Sequence, residues 1–225
     1  MAGWINEADH KRVSEAVAVA EAHTAGEIVT VVADRSDGYS DIALAWAVLA
    51  AFLALGLFAV FPGFFLGKLE WLIGGWNHEW TDREILGIAS ALAVVKFVAV
   101  WAILHWLPLR FFLIPPPIKT ARALGRAIDL FKVGAERRTT GRTGVLIYLS
   151  LLEHRAEIVA DEAIHSKVEP EVWGEAMAAL VEGVKAGRPG DGMAEAVTKV
   201  GAVLAQCLPR RAADTNELPD RLIEL

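Results

Sequence analysis

Residues 42–67 read IALAWAVLAAFLALGLFAVFPGFFLG, and residues 85–109 read ILGIASALAVVKFVAVWAILHWLPL. The first stretch holds no Asp, Glu, Lys, Arg or His, and only Lys96 and His105 interrupt the second. Each is longer than the roughly 20 apolar residues that cross about 30 Å of hydrocarbon as a helix. A helix on a soluble core keeps a polar face, which these runs lack. They therefore read as two membrane spans, at about residues 42–66 and 85–108, joined by a connector at 68–84.

The ends of the spans carry their own signals. Thr81-Asp82-Arg83-Glu84 predicts a capping box, in which the Thr hydroxyl and Glu carboxylate take up free amides where the second span begins. Pro62-Gly63 marks the end or a kink of the first span. Pro108 and Pro115-Pro116-Pro117 close the second. Lys68 and Arg83 lie in the connector, whereas Arg35, Arg110, Lys119, Arg122 and Arg126 lie on the terminal side. This bias places both termini in the cytoplasm and the connector outside. Trp71, Trp76 and Trp80 of the connector suit the headgroup belt, as do Trp46 and Trp106 near the other ends. Glu7, Asp9, Glu15 and Glu21 in the opening segment argue against a cleaved signal peptide, so the first span reads as a retained anchor.

The net charge of −6 argues against nucleic acid as a partner. The single cysteine, Cys207, excludes an internal disulfide and an all-cysteine metal site. It reads as a small buried apolar residue.

The polar segments alternate helix and strand patterns. Asn6 to Gly26 predicts a helix with Val13, Ala16, Val17 and Ala20 as its apolar stripe. Glu27 to Ala33 is a β-branched run that predicts a strand. After the second span, Ile118 to about Arg138 predicts a helix, its apolar side made of Ala123, Ala127, Leu130, Phe131, Val133 and Ala135. Thr143–Ser150 and Ala156–Ala160 predict an antiparallel hairpin. Pro170 opens a helix running to Gly187, and a further helix runs from Asp191 to about Gln206. Residues 209–225 read as a polar tail, loosely ordered until its last apolar residues. One helix and one strand in residues 1–41 are too little to fold alone. The expected architecture is therefore one α/β domain, built from residues 1–41 and 110–208, split by an inserted transmembrane hairpin at 42–109.

Gly26-Glu27-Ile28-Val29 with its strand, Arg142-Thr143-Gly144-Val145-Leu146-Ile147-Tyr148-Leu149-Ser150, Glu157-Ile158-Val159-Ala160-Asp161 with Ile164, Val172-Trp173, and the stretch Gly190 to Val197 resemble the TPM-domain family of bacterial membrane proteins. That family also includes thylakoid-lumen phosphatase-like photosystem repair proteins and auxiliary subunits of animal cholinergic receptors. The resemblance implies a compact α/β sandwich in a bacterial inner (plasma) membrane. It also implies phosphatase activity or calcium binding, since some members have one or the other. Those members commonly carry an acidic residue just before the Gly-Val-Leu strand, where this chain has Arg142-Thr143-Gly144. A guanidinium repels the hard cations that carboxylates attract, so this departure works against a cation site.

The candidate chemistry is sparse. Asp161 follows a strand, from which its carboxylate can project past the sheet; Glu162 and His165 lie nearby, and Asp34 ends the other mapped strand. Asp161 and Asp34 are the catalytic candidates. Asp161, Glu162 and His165 are the metal candidates, against a plain reading as solvated loop acids. No cofactor is expected from the residues; the resemblance leaves calcium or another divalent cation open. Gly187 to Gly192 reads as an inter-helix turn, with anion binding at the next helix start as the alternative. His78-Glu79 with Asp82 reads as a solvated loop, with metal ligation as the alternative. Lys96, near mid-span, costs about 2.5–3.5 kcal/mol on insertion scales, and the first span offers no acid to meet it; an acid in another protein, a backbone carbonyl and snorkelling are the alternatives. Arg110, Lys119, Arg122 and Arg126 open a basic strip that continues to Arg142 and suits anionic lipid, at about 1 kcal/mol per residue, with an acidic protein partner as the alternative.

The expected function is a membrane-anchored TPM-like module that binds or assists a protein partner at the membrane surface without turnover. The alternative is a membrane-bound phosphatase-like hydrolase, dependent on a divalent cation. The expected partners are the bilayer, an unidentified membrane or cytoplasmic protein, and a homo-oligomer formed through the spans.

Overall fold

The computed structural model describes residues 5–74, 78–134, 143–168, 170–210 and 217–225. In chain order the elements are α1 (Glu7–Glu21), β1 (Glu27–Ala33), α2 (Ser40–Val60), α3 (Pro62–Ile73), α4 (Asp82–Ile103), α5 (Leu107–Leu113), α6 (Pro116–Gly134), β2 (Gly144–Ser150), β3 (Arg155–Ala160), α7 (Glu162–His165), a 3-10 turn (Pro170–Trp173), α8 (Gly174–Lys185), α9 (Pro189–Cys207) and β4 (Leu222–Glu224). They form two compact units, one of Met1–Asp37 with Pro115–Leu225, the other of Gly38–Ile114.

The first unit is a mixed α/β layer structure around a four-stranded sheet of order β3-β2-β1-β4. β1 pairs in parallel with β2, from Glu27 opposite Gly144 to Ala33 opposite Ser150. β2 pairs antiparallel with β3. Every residue of β1 and of β2 is buried. That is why both read as continuous apolar runs rather than alternating ones: helices cover both faces. On one face Ile28, Val32, Val145, Ile147 and Leu149 pack with Val13, Val17, Leu180, Val197 and Leu204 of α1, α8 and α9. On the other, Val29, Val31, Leu146 and Tyr148 pack with Ala123, Ala127 and Phe131 of α6.

Several elements depart from the sequence reading. α1 carries the Asn6 cap, with a reciprocal bond from Asp9, but ends at Glu21 rather than Gly26. The residues beyond it are drawn to the end of α9, where Ala25 N and Thr24 Oγ1 both donate to Leu208 O. Val133, placed on the apolar side of α6, is 71% exposed. Ala135, Arg137, Arg138 and Arg142 lie outside the described residues. Pro170 opens a 3-10 turn, and the α-helix proper begins at Gly174. The end of the tail is a strand: Leu222–Glu224 lies parallel to Thr30–Val32, and Leu225 N donates to Val32 O at 3.0 Å. Three residues carry too little pattern to be recognised; the free edge of β1 supplies the pairing partner.

The second unit is helical. α2 packs along α4, through a seam that buries Ala43, Ala47, Ala54 and Phe58. Both are long and apolar enough to cross a membrane. The capping box holds: Glu84 N donates to Thr81 Oγ1 and Thr81 N to Glu84. The continuous first span stops at Val60, and α3 restarts with Pro62 in its first turn. Pro62 has no N–H to continue the ladder but suits a helix start. α3 therefore takes up the first part of the 68–84 connector, as far as Ile73. Pro108 does not end the second span. α4 ends at Ile103, and Pro108 lies in the first turn of α5.

Glycines of α8 and α9, among them Gly192 of the Gly190–Val197 stretch, mark close helix approach. A Cβ on Gly183 of α8 would lie 2.5 Å from Gly192 Cα of α9, and one on Gly201 2.5 Å from Ala20 Cβ of α1. Backbone meets backbone at Gly183, so no rotamer change relieves a clash. Gly183→Ala is expected to lower stability by about 1–3 kcal/mol, despite the gain of up to about 1 kcal/mol in helix propensity. Gly174→Ala, with open space around it, should not. Thermal unfolding of the full chain in detergent compares the two.

Candidate functional site

Polar side chains gather at both ends of the sheet. At the carboxyl end of β1 and β2, Tyr148 Oη and Ser36 Oγ are 3.0 Å apart. Ser36 N donates to Glu153 Oε1 at 2.8 Å, and Ser150 Oγ donates to Glu153 Oε2. Tyr148 and Glu153 are both buried. Burial pushes the Tyr148 phenol above its usual range, while the Ser36 and Ser150 hydroxyls pull the other way. Glu157 faces Tyr148 across the ladder. Burial raises it too, with Arg155 opposing. Arg122 Nη1 donates to Asp37 Oδ2 at 2.5 Å. Hence one member of the basic strip is held within the domain rather than left for lipid.

At the amino end three carboxylates take up backbone amides. Asp161 Oδ2 accepts from Gly144 N at 3.1 Å. Glu27 accepts from Glu217 N and Leu218 N at 3.2 and 3.1 Å. Glu21 Oε1 accepts from Ile28 N at 2.7 Å. Burial is the main cause that lifts the Glu21 pKa to about 8; Glu27 and Asp220 add repulsion, against the Ile28 bond. Glu27 is raised in the same direction, again chiefly by burial. Each acid anchors the start of a strand or the approach to one, a structural task that explains why it tolerates burial.

This arrangement corrects the sequence reading of the site. Asp161 does not project past the sheet; it is buried and bonded to Gly144. Asp34 follows Ala33, opposite Ser150, whereas Asp161 follows Ala160, opposite Val145. The two acids stand at opposite ends, separated by about 20 Å of strand, so they cannot share a metal or a substrate atom. Glu162 and His165 are exposed on the short α7. Among the described residues no three acids, histidines or cysteines are grouped to hold a metal. In the Gly187–Gly192 turn, Asp191 is bound by Arg12 and Arg188. The α9 start therefore already has an anion of the chain's own.

The remaining candidates belong to the helical unit or flank it. His78 faces Glu84 at 3.5 Å, rather than Glu79 and Asp82. Trp80 Nε1 donates to Glu70 at 2.7 Å. Trp71 and Trp106 are exposed, and Trp76 lies outside the described residues. His105 packs on Trp101. Lys96 is exposed; Arg110 and Lys119 are half-buried, and Arg126 is exposed.

Sequence reasoning passed over Glu21, Glu27, Ser36, Tyr148, Ser150 and Glu153. Only Glu21 had left a signal: it lies four residues after Val17, on the buried stripe of α1.

No family model and no curated protein matches the chain. Among solved structures it is similar to the NMR structure of the BA42 protein from the psychrophilic bacterium Bizionia argentinensis, at 16% identity and a TM-score of 0.57. The match covers 100% of this chain and 98% of that one. At this identity the likeness shows the fold alone.

The raised Glu21 gives a pH signature. Its folded pKa of about 8 exceeds the ordinary 4.5, so the folded state holds a proton that the unfolded chain has released. Stability is full below about 4.5 and falls as pH rises towards 8. Glu21→Gln keeps the acceptor for Ile28 N and removes the charge. Unfolding temperatures from pH 5 to 8.5 are expected to decline less steeply for this variant than for the wild type, with a residual slope from Glu27.

Proposed function

We propose that the chain is a membrane-anchored TPM-like module that binds or assists a protein partner at the membrane surface, and that it does so without turnover. The anchor reading rests on the outward faces of α2 and α4. There Leu44, Phe52, Leu53, Leu57, Leu86, Val94, Val95 and Val98 are all exposed. Apolar side chains shown continuously along two helices are tolerated by hydrocarbon and not by water. The TPM-like reading is supported by the motif order in the sequence and by strands at those motifs in one sheet. The cytoplasmic position of the termini in a bacterial inner membrane is supported by the bias of Lys and Arg.

The observation that carries the non-catalytic reading is the commitment of the buried acids. Asp161, Glu27 and Glu21 each hold a backbone amide, and Asp34 lies at the far end of the sheet from Asp161. Such groups brace a scaffold and offer no paired acid and base around a common reacting atom.

Two measurements test the proposal. Full-length protein in detergent, incubated with a generic phosphomonoester with and without magnesium or calcium, is expected to show no turnover above buffer. Turnover lost in Asp161→Asn, with folding retained by circular dichroism, would replace this reading with the hydrolase. A reporter fused after Leu225 is expected to be active only when it is a cytoplasmic type, and activity of a periplasmic type would reverse the orientation.

A further inference from the structure

We infer that α4 is the docking face for a transmembrane helix of another protein that carries a carboxyl group near mid-bilayer, with Lys96 as its counter-charge. This deepens the proposed function by naming the chemistry of the partner, and it rests on the membrane reading of α2 and α4.

Ile85, Ile88, Ala89, Leu92, Ala93, Phe97 and Val100 are half-buried, at the 3–4 residue spacing of one helix face. α2 packs along α4, so this stripe marks the side of α4 turned to its neighbour. Lys96 lies on the same stripe, seven residues after Ala89 and four before Val100, yet it is exposed. The hairpin therefore leaves Lys96 exposed. α2 has no acid within residues 42–60, and among the described residues no carboxylate pairs with Lys96.

At 1.5 Å per residue, Lys96 lies about 10 Å from the Ile103 end of α4 and about 16 Å from Ile85, well inside both ends of the helix. A central charge without a partner costs about 2.5–3.5 kcal/mol, and a carboxyl group on an incoming helix satisfies it directly. A second copy of this chain does not fit as the occupant, because it would bring another Lys96 and no acid at that depth.

The test uses the full chain in phosphatidylcholine vesicles and a dansyl-labelled Leu/Ala transmembrane peptide of 21 residues, a length that spans the core, with one central Glu. Tryptophan-to-dansyl transfer reads association. The Glu peptide is expected to reach half-maximal transfer at a several-fold lower peptide-to-protein ratio than the same peptide with Gln. The difference should vanish in Lys96→Leu and persist in Lys96→Arg. Equal transfer from the Glu and Gln peptides, with the protein retained in membranes after alkaline carbonate washing, would overturn this inference alone and indicate a lysine satisfied by lipid headgroups. Release of the wild-type protein by the wash would overturn the membrane reading and this inference with it.

Discussion

The parallel ladder between Glu27–Ala33 and Gly144–Ser150 is the contact on which the rest depends. Parallel strands cannot be joined by a turn, because the chain must travel back along the sheet before it can pair. Here α6 makes that return: it starts at Pro116, near the carboxyl end of β1 marked by the Arg122–Asp37 bond, and packs across the face to reach the start of β2. The chain between Asp37 and Pro115 is then free to be anything that leaves and comes back at that end. An apolar helical insertion satisfies this condition without disturbing the sheet. The same β1 strand also recruits β4 along part of its other edge, so it is central in space although it lies near the beginning of the sequence.

A sheet covered on both faces has to dispose of polar groups at its ends. At the amino end this is done with carboxylates that accept from Gly144, Ile28, Glu217 and Leu218. At the carboxyl end it is done with hydroxyls around Glu153. Acids of this kind look catalytic when read one at a time, since each follows or precedes a strand. Their hydrogen bonds show what they spend their charge on. The neutral form of Glu21 near pH 7 is a consequence of this bracing: it is buried, and two more acids repel its charge.

Much of the fold was legible. The β-branched runs at 27–33 and 144–150, the hairpin strand at 155–160, the cap at Asn6 and the capping box at Thr81 each rest on local patterns, and they formed where those patterns lie. The breaks were less legible. Pro62 marked the break after Val60, but Ile103 ends α4 within a run that stays apolar on both sides, and hydropathy does not register such a stop. The site was least legible of all. Asp34 and Asp161 both follow strands, but which end of the sheet each occupies depends on strand direction, and β3 runs opposite to β1.

The sequence by itself determined that two apolar helices interrupt an α/β pattern, because length and hydropathy are properties of contiguous residues. It also determined that the β-branched run at 27–33 would be a strand that needs a sheet. Only the tertiary structure decided the parallel pairing of β1 with β2, the strand order, the capture of the last residues as an edge strand, and the separation of the two aspartates. Those outcomes depend on pairing between residues up to about 190 positions apart, such as Thr30 with Leu222, and no local pattern encodes such a pairing.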